Sequence, residues 1–167
     1  MTANIKFAKV KPNAKIPTKR VEDAGFDLYA CLADEIDWIC IPPHSSELIP
    51  TGIASAFDSN WAIIFRERGS TGVKNMKINA GVIDSGFRGE YFISLYNGND
   101  APVYITKYMD GEQAPEPKNA ILYPCSKAIA QALVIPVPEV NVEEISYEEL
   151  KNISSERGMG ALGSSNK

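Results

Sequence analysis

Two stretches of this chain carry side chains whose types and spacing suit work on a phosphate anhydride. Arg66-Glu67-Arg68-Gly69-Ser70-Thr71-Gly72 follows an apolar run and gathers guanidinium groups, a hydroxyl pair and flexible backbone within one turn. A guanidinium meets phosphate oxygens as a planar fork, and glycines let backbone N–H groups approach the same anion. A polar strand-to-helix turn has the same composition. The second stretch is Asn79-Ala80-Gly81-Val82-Ile83-Asp84-Ser85-Gly86-Phe87-Arg88-Gly89. Asp84-Ser85-Gly86 has the chemistry of a hairpin turn, and a hairpin opens backbone donors and acceptors to a flat ligand edge. Asp84 at its mouth suits a general base for water, a role worth about 10²–10⁴-fold. It also suits an Asx turn.

A third stretch, Gly158-Met159-Gly160-Ala161-Leu162-Gly163, has the letters of GxGxxG. It does not precede a helix, as a dinucleotide-binding turn must, and as a P-loop it lacks the lysine. What survives is a glycine-rich arm beginning at Arg157 that folds over an anionic ligand. His44 is the single histidine and can build neither a triad nor a metal site, so it is expected at the surface. Cys31, Cys40 and Cys125 form no CxxC pair and read as buried thiols. Glu143, Glu144, Glu148 and Glu149 read as a solvated face.

The elements that must position these groups fit one β-rich domain. The 167 residues are 44% apolar and 23% charged, which excludes a disordered tail or a disulfide miniprotein. The formal charge of -4 argues against a duplex nucleic acid partner, while a few placed arginines suffice for a small anion. No run reaches the ~18 apolar residues that span a bilayer, and the N-terminal residues lack a signal-peptide core. An intracellular, reducing, cytoplasmic setting with no membrane partner is the expectation.

Short apolar runs recur every ~8–12 residues between turn signals, which predicts an all-β fold closed as a barrel or two-sheet sandwich. Strands are expected over 5–10, 26–31, 47–57, 61–67, 77–83, 91–96, 103–107, 120–125, 129–137 and 139–145. One helix is expected after the N-cap Ser146. Residues 107–119 read as a surface loop. The organisation predicted is a β domain over 1–156 and a mobile arm over 157–167.

Five blocks, in order, resemble the motifs of the homotrimeric dUTPase family. Ala24-Gly25-Phe26-Asp27-Leu28-Tyr29-Ala30 is similar to the first, Arg68-Gly69-Ser70-Thr71-Gly72 to the second and Gly81-Val82-Ile83-Asp84 through Gly89 to the third. Ala128-Ile129-Ala130-Gln131 resembles the fourth, and Arg157 through Ser165 the fifth. The resemblance implies a distorted jelly roll that hydrolyses dUTP to dUMP and pyrophosphate. Asp84 would activate water for attack on the α-phosphorus. Mg2+ would be held by the triphosphate, with Asp27 acting through water. Arg68, Gly69, Ser70, Gln131, Arg157, Gly163 and Ser164 would hold phosphate oxygens. Asn79, Gly81, Val82 and Ile83 would read uracil through the main chain, and Phe87 would pack on the deoxyribose. Each site would draw on three subunits of a homotrimer.

The chain departs from the family pattern at Phe87 (usually Tyr), Leu162 (usually Phe), Ala128 (usually Arg) and in the order Gly69-Ser70. A dCTP deaminase, or a bifunctional deaminase/dUTPase of the same fold, is the alternative enzyme. A nucleotide-switched regulatory module with a protein partner is the alternative of another class.

Overall fold

A computed structural model of the chain describes residues 2–108 and 119–160. They fall into two compact units, Met1–Val137 and Pro138–Lys167. The first unit holds all the strands among the described residues. Its central strand is β12 (Ala128–Pro136), antiparallel to β2 (Gly25–Tyr29) on one side and to β6 (Trp61–Arg66) on the other. β8 (Val82–Ile83) extends that sheet beyond β6. A bulge between Ala128 and Ala130 breaks the alternation of β12, so Ala128, Ile129 and Ala130 are all buried.

A second sheet sets β9 (Phe92–Asn97) between β4 (Ser46–Pro50) and β7 (Met76–Ile78). β9 alternates strictly, with Ile93, Leu95 and Asn97 inside and Phe92, Ser94 and Tyr96 more exposed, as the two-residue pleat dictates. A third sheet sets β10 (Val103–Thr106) between β3 (Trp38–Ile41) and β11 (Ile121–Pro124). β1 (Lys6–Lys9) pairs with β5 (Ile53–Ala56). Among the described residues no sheet closes on itself, and the unit is a jelly-roll-like β sandwich with two short helices in the chain. The expectation of an all-β fold holds.

One core joins the sheets: Ile41, Ile49, Ile63, Tyr91, Ile93, Leu95, Ile105 and Ile129 are sealed from solvent. Full burial of each such side chain contributes roughly 1.5–3 kcal/mol. Asn97 is buried with them because its Nδ2 donates to the carbonyls of Ile41 (3.0 Å) and Ala101 (2.8 Å). Its amide ties the end of β9 to the end of β3.

Several expectations change. The run 47–57 breaks at Thr51-Gly52, where Gly52 takes φ 69° and the chain passes from β4 to β5. The run 77–83 breaks at Ala80 (φ 62°) and Gly81 (φ 107°), and β7 and β8 join different sheets. Asp84-Ser85-Gly86 is a turn, with the Phe87 N–H donating to the Asp84 carbonyl at 3.0 Å. It is not a hairpin: β8 pairs with β6, whereas β9 pairs with β4 and β7. β3 was not anticipated. Cys31 is buried, but Cys40 and Cys125 are half-buried; all three thiols are free. His44 is exposed and pairs with Asp100 at 2.8 Å, as a surface histidine should.

In the second unit, residues 139–145 form no strand. Val140 and Val142 stand exposed, and alternation without a strand to pair with makes no sheet. α2 (Tyr147–Asn152) follows as expected. The Ser146 hydroxyl accepts from the Glu149 N–H (3.2 Å) and Glu149 accepts from the Ser146 N–H (2.8 Å), a capping box. Glu143, Glu144, Glu148 and Glu149 are all exposed. No described helix is long and apolar enough to cross a membrane.

Candidate functional site

β6 ends at Arg66 and the chain turns at Glu67-Arg68 into the single-turn helix α1 (Gly69–Gly72). The fully buried Thr71 fixes this turn: its Oγ1 accepts from the Arg68 N–H at 3.0 Å and donates to the Arg68 carbonyl at 3.1 Å. Arg68 is thereby aimed at β2. Its Nε lies 2.8 Å from Asp27 Oδ1 and its Nη2 3.3 Å from Asp27 Oδ2, a two-pronged pair, while Nη1 donates to Ser70 Oγ at 3.3 Å. Both partners of the Arg68–Asp27 pair are about one-third exposed.

Gln131 sits beside Arg66 and Asp27 in the register of β12. Its Nε2 donates to the Glu67 carbonyl at 2.7 Å, and its Oε1 lies 2.7 Å from where a Cβ on Gly25 would stand. Only glycine leaves the amide that place. These groups, with Gly69, Ala24, Arg20 and Asp23, line one cavity of about 290 Å³. The sequence had singled out Asp27, Arg68, Gly69, Ser70 and Gln131, and the fold brings all five together.

Arg20, Asp23 and Glu67 were missed. Arg20 and Asp23 form a two-pronged ion pair, Nε to Oδ2 and Nη2 to Oδ1, each 2.9 Å. Their three-residue spacing just ahead of Ala24-Gly25 was the available signal. Glu67 Oε1 accepts from the Ile78 N–H at 2.9 Å, which holds its carboxyl below the usual range.

The segment from Asn79 to Phe87 forms a separate surface. The Asn79 side chain donates to Ser46 Oγ at 2.9 Å, Val82 and Asp84 are exposed and Ile83 is half-buried. The Gly81 carbonyl accepts from the Phe65 N–H at 2.8 Å, which ties the segment to β6. Phe87 lies parallel to the buried Tyr91, with ring centroids 6.5 Å apart and planes 13° from parallel. Tyr91 is itself edge-on to Phe65 and bonded to the Ser55 hydroxyl. The Asp84 carboxylate faces solvent with no side-chain partner among the described residues.

Asp84 is not in the Arg68 cavity. In β8, Ile83 lies opposite Ile63 and Val82 opposite Ile64, so the chain carries Asp84 toward Ala62, away from Arg66. Four residues of strand, about 14 Å, then separate the two ends.

Arg157 belongs to the second unit, where its Nε donates to the Gly160 carbonyl at 2.9 Å. Leu162, Gly163, Ser164 and residues 109–118 of the expected surface loop lie outside the described residues. No group of three or more His, Cys, Asp or Glu side chains able to hold a metal occurs among the described residues.

The dUTPase family model matches residues 12–109. The deoxyuridine 5'-triphosphate nucleotidohydrolase of Clostridioides difficile is 32% identical over 165 residues, 96% of each chain. Among solved structures, the dUTPase of Staphylococcus bacteriophage 80alpha with dUPNHPP superposes with a TM-score of 0.75 at 18% identity, over 99% of this chain and 100% of that one. That work describes phage dUTPases as controlling transfer of virulence genes by a G protein-like mechanism. A mutant dUTPase from phage phi11 of S. aureus, solved with a structural Mg(II) ion, has a TM-score of 0.65 at 17% identity, over 85% of this chain and 96% of that one. With the family's first four motif positions laid out on β2, α1, β8 and β12, this chain belongs to the dUTPase family of dUTP-hydrolysing enzymes.

Proposed function

We propose that the chain converts dUTP and water to dUMP and pyrophosphate, with attack at the α-phosphorus and Asp84 as the general base. The observation that carries the reading is the cavity holding Arg68, Ser70 and Gln131 against Asp27. It gathers the donors a triphosphate needs on the elements where the family resemblance puts them. Arg68 is oriented by Asp27 before substrate arrives, so little side-chain entropy is lost when its fork turns to phosphate oxygens. Gln131 keeps its amide turned toward the cavity through the Glu67 carbonyl. The Asp84 carboxylate, exposed and with no side-chain partner among the described residues, is placed to accept the proton of a water as the new O–P bond forms and the α–β anhydride bond breaks.

The donor set fits magnesium. Two carboxylates, Asp23 and Asp27, line the cavity, and with no group of three or more metal-binding side chains among the described residues they suit a cation that keeps several waters and binds through substrate phosphates. Asp27 would hold such an ion through water, and the ion would neutralise charge on the phosphate oxygens.

The surface from Asn79 to Ile83 would read uracil through its main chain, and Phe87, braced on Tyr91, would pack on the deoxyribose. Asp84 and Arg68 point to opposite ends of β6, which supports sites shared between copies in a homotrimer. As the family resemblance implies, Arg157, Gly163 and Ser164 of the 157–167 arm would hold phosphate oxygens in a neighbouring copy's site. The free thiols fit a reducing cytoplasm.

The test is pyrophosphate release from dUTP, UTP, dTTP and dCTP, with and without Mg2+. Release from dUTP alone, dependent on Mg2+, is expected. Equal turnover of all four would remove the proposed base and sugar selection, and ammonia from dCTP would assign the deaminase instead.

A further inference from the structure

We propose that Arg20 is a second guanidinium of the phosphate site, binding the polyphosphate of the nucleotide alongside Arg68. The inference deepens the dUTPase reading and rests on it for the identity of the nucleotide.

Arg20 lines the same cavity as Arg68, Ser70 and Gln131. It does so from an ordered turn. The Asp27 N–H donates to the Thr18 carbonyl at 2.9 Å, pinning the segment along β2, and the Asp23 N–H donates to the Arg20 carbonyl at 3.2 Å. Asp23 then fixes the guanidinium through Nε and Nη2 and also accepts from the Arg20 backbone N–H at 3.2 Å. A guanidinium has five N–H donors. Two are engaged by Asp23, and three remain for an anion, both on Nη1 and one on Nη2.

Charge makes the same case. The charged side chains lining the cavity are Arg20 and Arg68 against Asp23 and Asp27. They cancel. Without Arg20 the wall would carry two carboxylates and one guanidinium, and a polyphosphate would meet net repulsion. Among the described residues no other cation lines the cavity: Ala128 is buried on β12, and the exposed Lys127 beside it is not part of the wall. The two arginines are built alike, each held two-pronged by an aspartate four residues from the other. Each presents an oriented planar fork, suited to adjacent phosphoryl groups rather than to a single one.

The experiment is calorimetric titration of the full chain with inorganic tripolyphosphate, dUTP and dUMP without Mg2+, on wild type, Arg20→Ala and Arg20→Lys, with Tm measured for each. Arg20→Ala should weaken tripolyphosphate and dUTP by about tenfold, the lower end for a charge-assisted bond at an exposed site. Its dUMP affinity and Tm should stay unchanged. Arg20→Lys should recover only part of the loss, since an ammonium lacks the fork. Unchanged tripolyphosphate affinity in Arg20→Ala would overturn the proposal, as would equal losses for dUMP and dUTP, or a wild type that binds no tripolyphosphate. If the wild type binds tripolyphosphate through Arg20 yet releases no pyrophosphate from dUTP, the dUTPase reading falls and the anion-binding role stands.

Discussion

At the scale of single residues, the site separates groups held in place from one left free. Arg68, Gln131 and Glu67 each have partners within 3 Å, whereas the Asp84 carboxylate has none among the described residues. A side chain that supports no neighbour can be altered without cost to the fold. Asp84→Asn should therefore lower kcat for dUTP at least about 10²-fold with KM nearly unchanged. Its Tm should match the wild type, and a rate within twofold of wild type would take Asp84 out of the mechanism. Glu67 is the opposite case. The Ile78 N–H holds its carboxyl below the ordinary value, so its stabilising effect is complete above the unfolded value of about 4.3 and fades as pH falls through the lower folded value. Glu67→Gln should be less stable than wild type by about 1 kcal/mol at pH 7. Urea midpoints taken at decreasing pH should converge below about pH 4, and a gap that widens on acidification would reverse the assignment.

At the scale of elements, the turns decide where the site residues go. Gly81 lies at φ 107°, and a Cβ there would stand 2.9 Å from the Cβ of Phe65 on β6. Gly81→Ala strains the backbone and pushes the 79–83 segment off β6, at about 1–3 kcal/mol. A drop in Tm, together with a raised KM for dUTP, checks it. This turn also shows what the sequence could and could not reveal. The strands were legible because β9 and β6 write their burial into alternation and apolar runs. The switch between sheets at Ala80-Gly81 was not, since an apolar run looks the same whether it stays in one sheet or crosses to another. The alternation over 139–145 misled for a related reason: a strand needs a partner, and periodicity carries no information about one. Motif letters located Asp27, Arg68 and Gln131. Arg20 reaches the cavity from a turn whose only sequence signal was its spacing to Asp23, and Glu67 supports Gln131 through a backbone carbonyl that motif letters do not show.

At the scale of the whole molecule, the geometry of β6 carries a consequence for assembly. Gln131 and Arg66 mark one end of the strand, and Ile63 and Ile64 hold β8 so that Asp84 leaves toward the other. Base and phosphate cradle of one chain thus point apart, and a working site under the proposed mechanism must combine Asp84 of one copy with Arg68 of another. With three copies, as the dUTPase resemblance implies, the native mass should be about three times 18.2 kDa. A sharper test uses two inactive variants. Asp84→Asn keeps the cradle and lacks the base, while Arg68→Ala keeps the base and lacks the cradle. Neither should turn over dUTP by itself. When the two are co-refolded in equal amounts, subunits mix at random, and a site takes its cradle from one variant and its base from the other in roughly one case in four. Activity should therefore rise to about a quarter of the wild-type level per site. Arg68→Ala also frees Asp27, so the mixture is compared with each variant refolded alone to remove any change in folding yield. If both groups served one site within the same chain, every site in the mixture would lack one of them, and no activity would return.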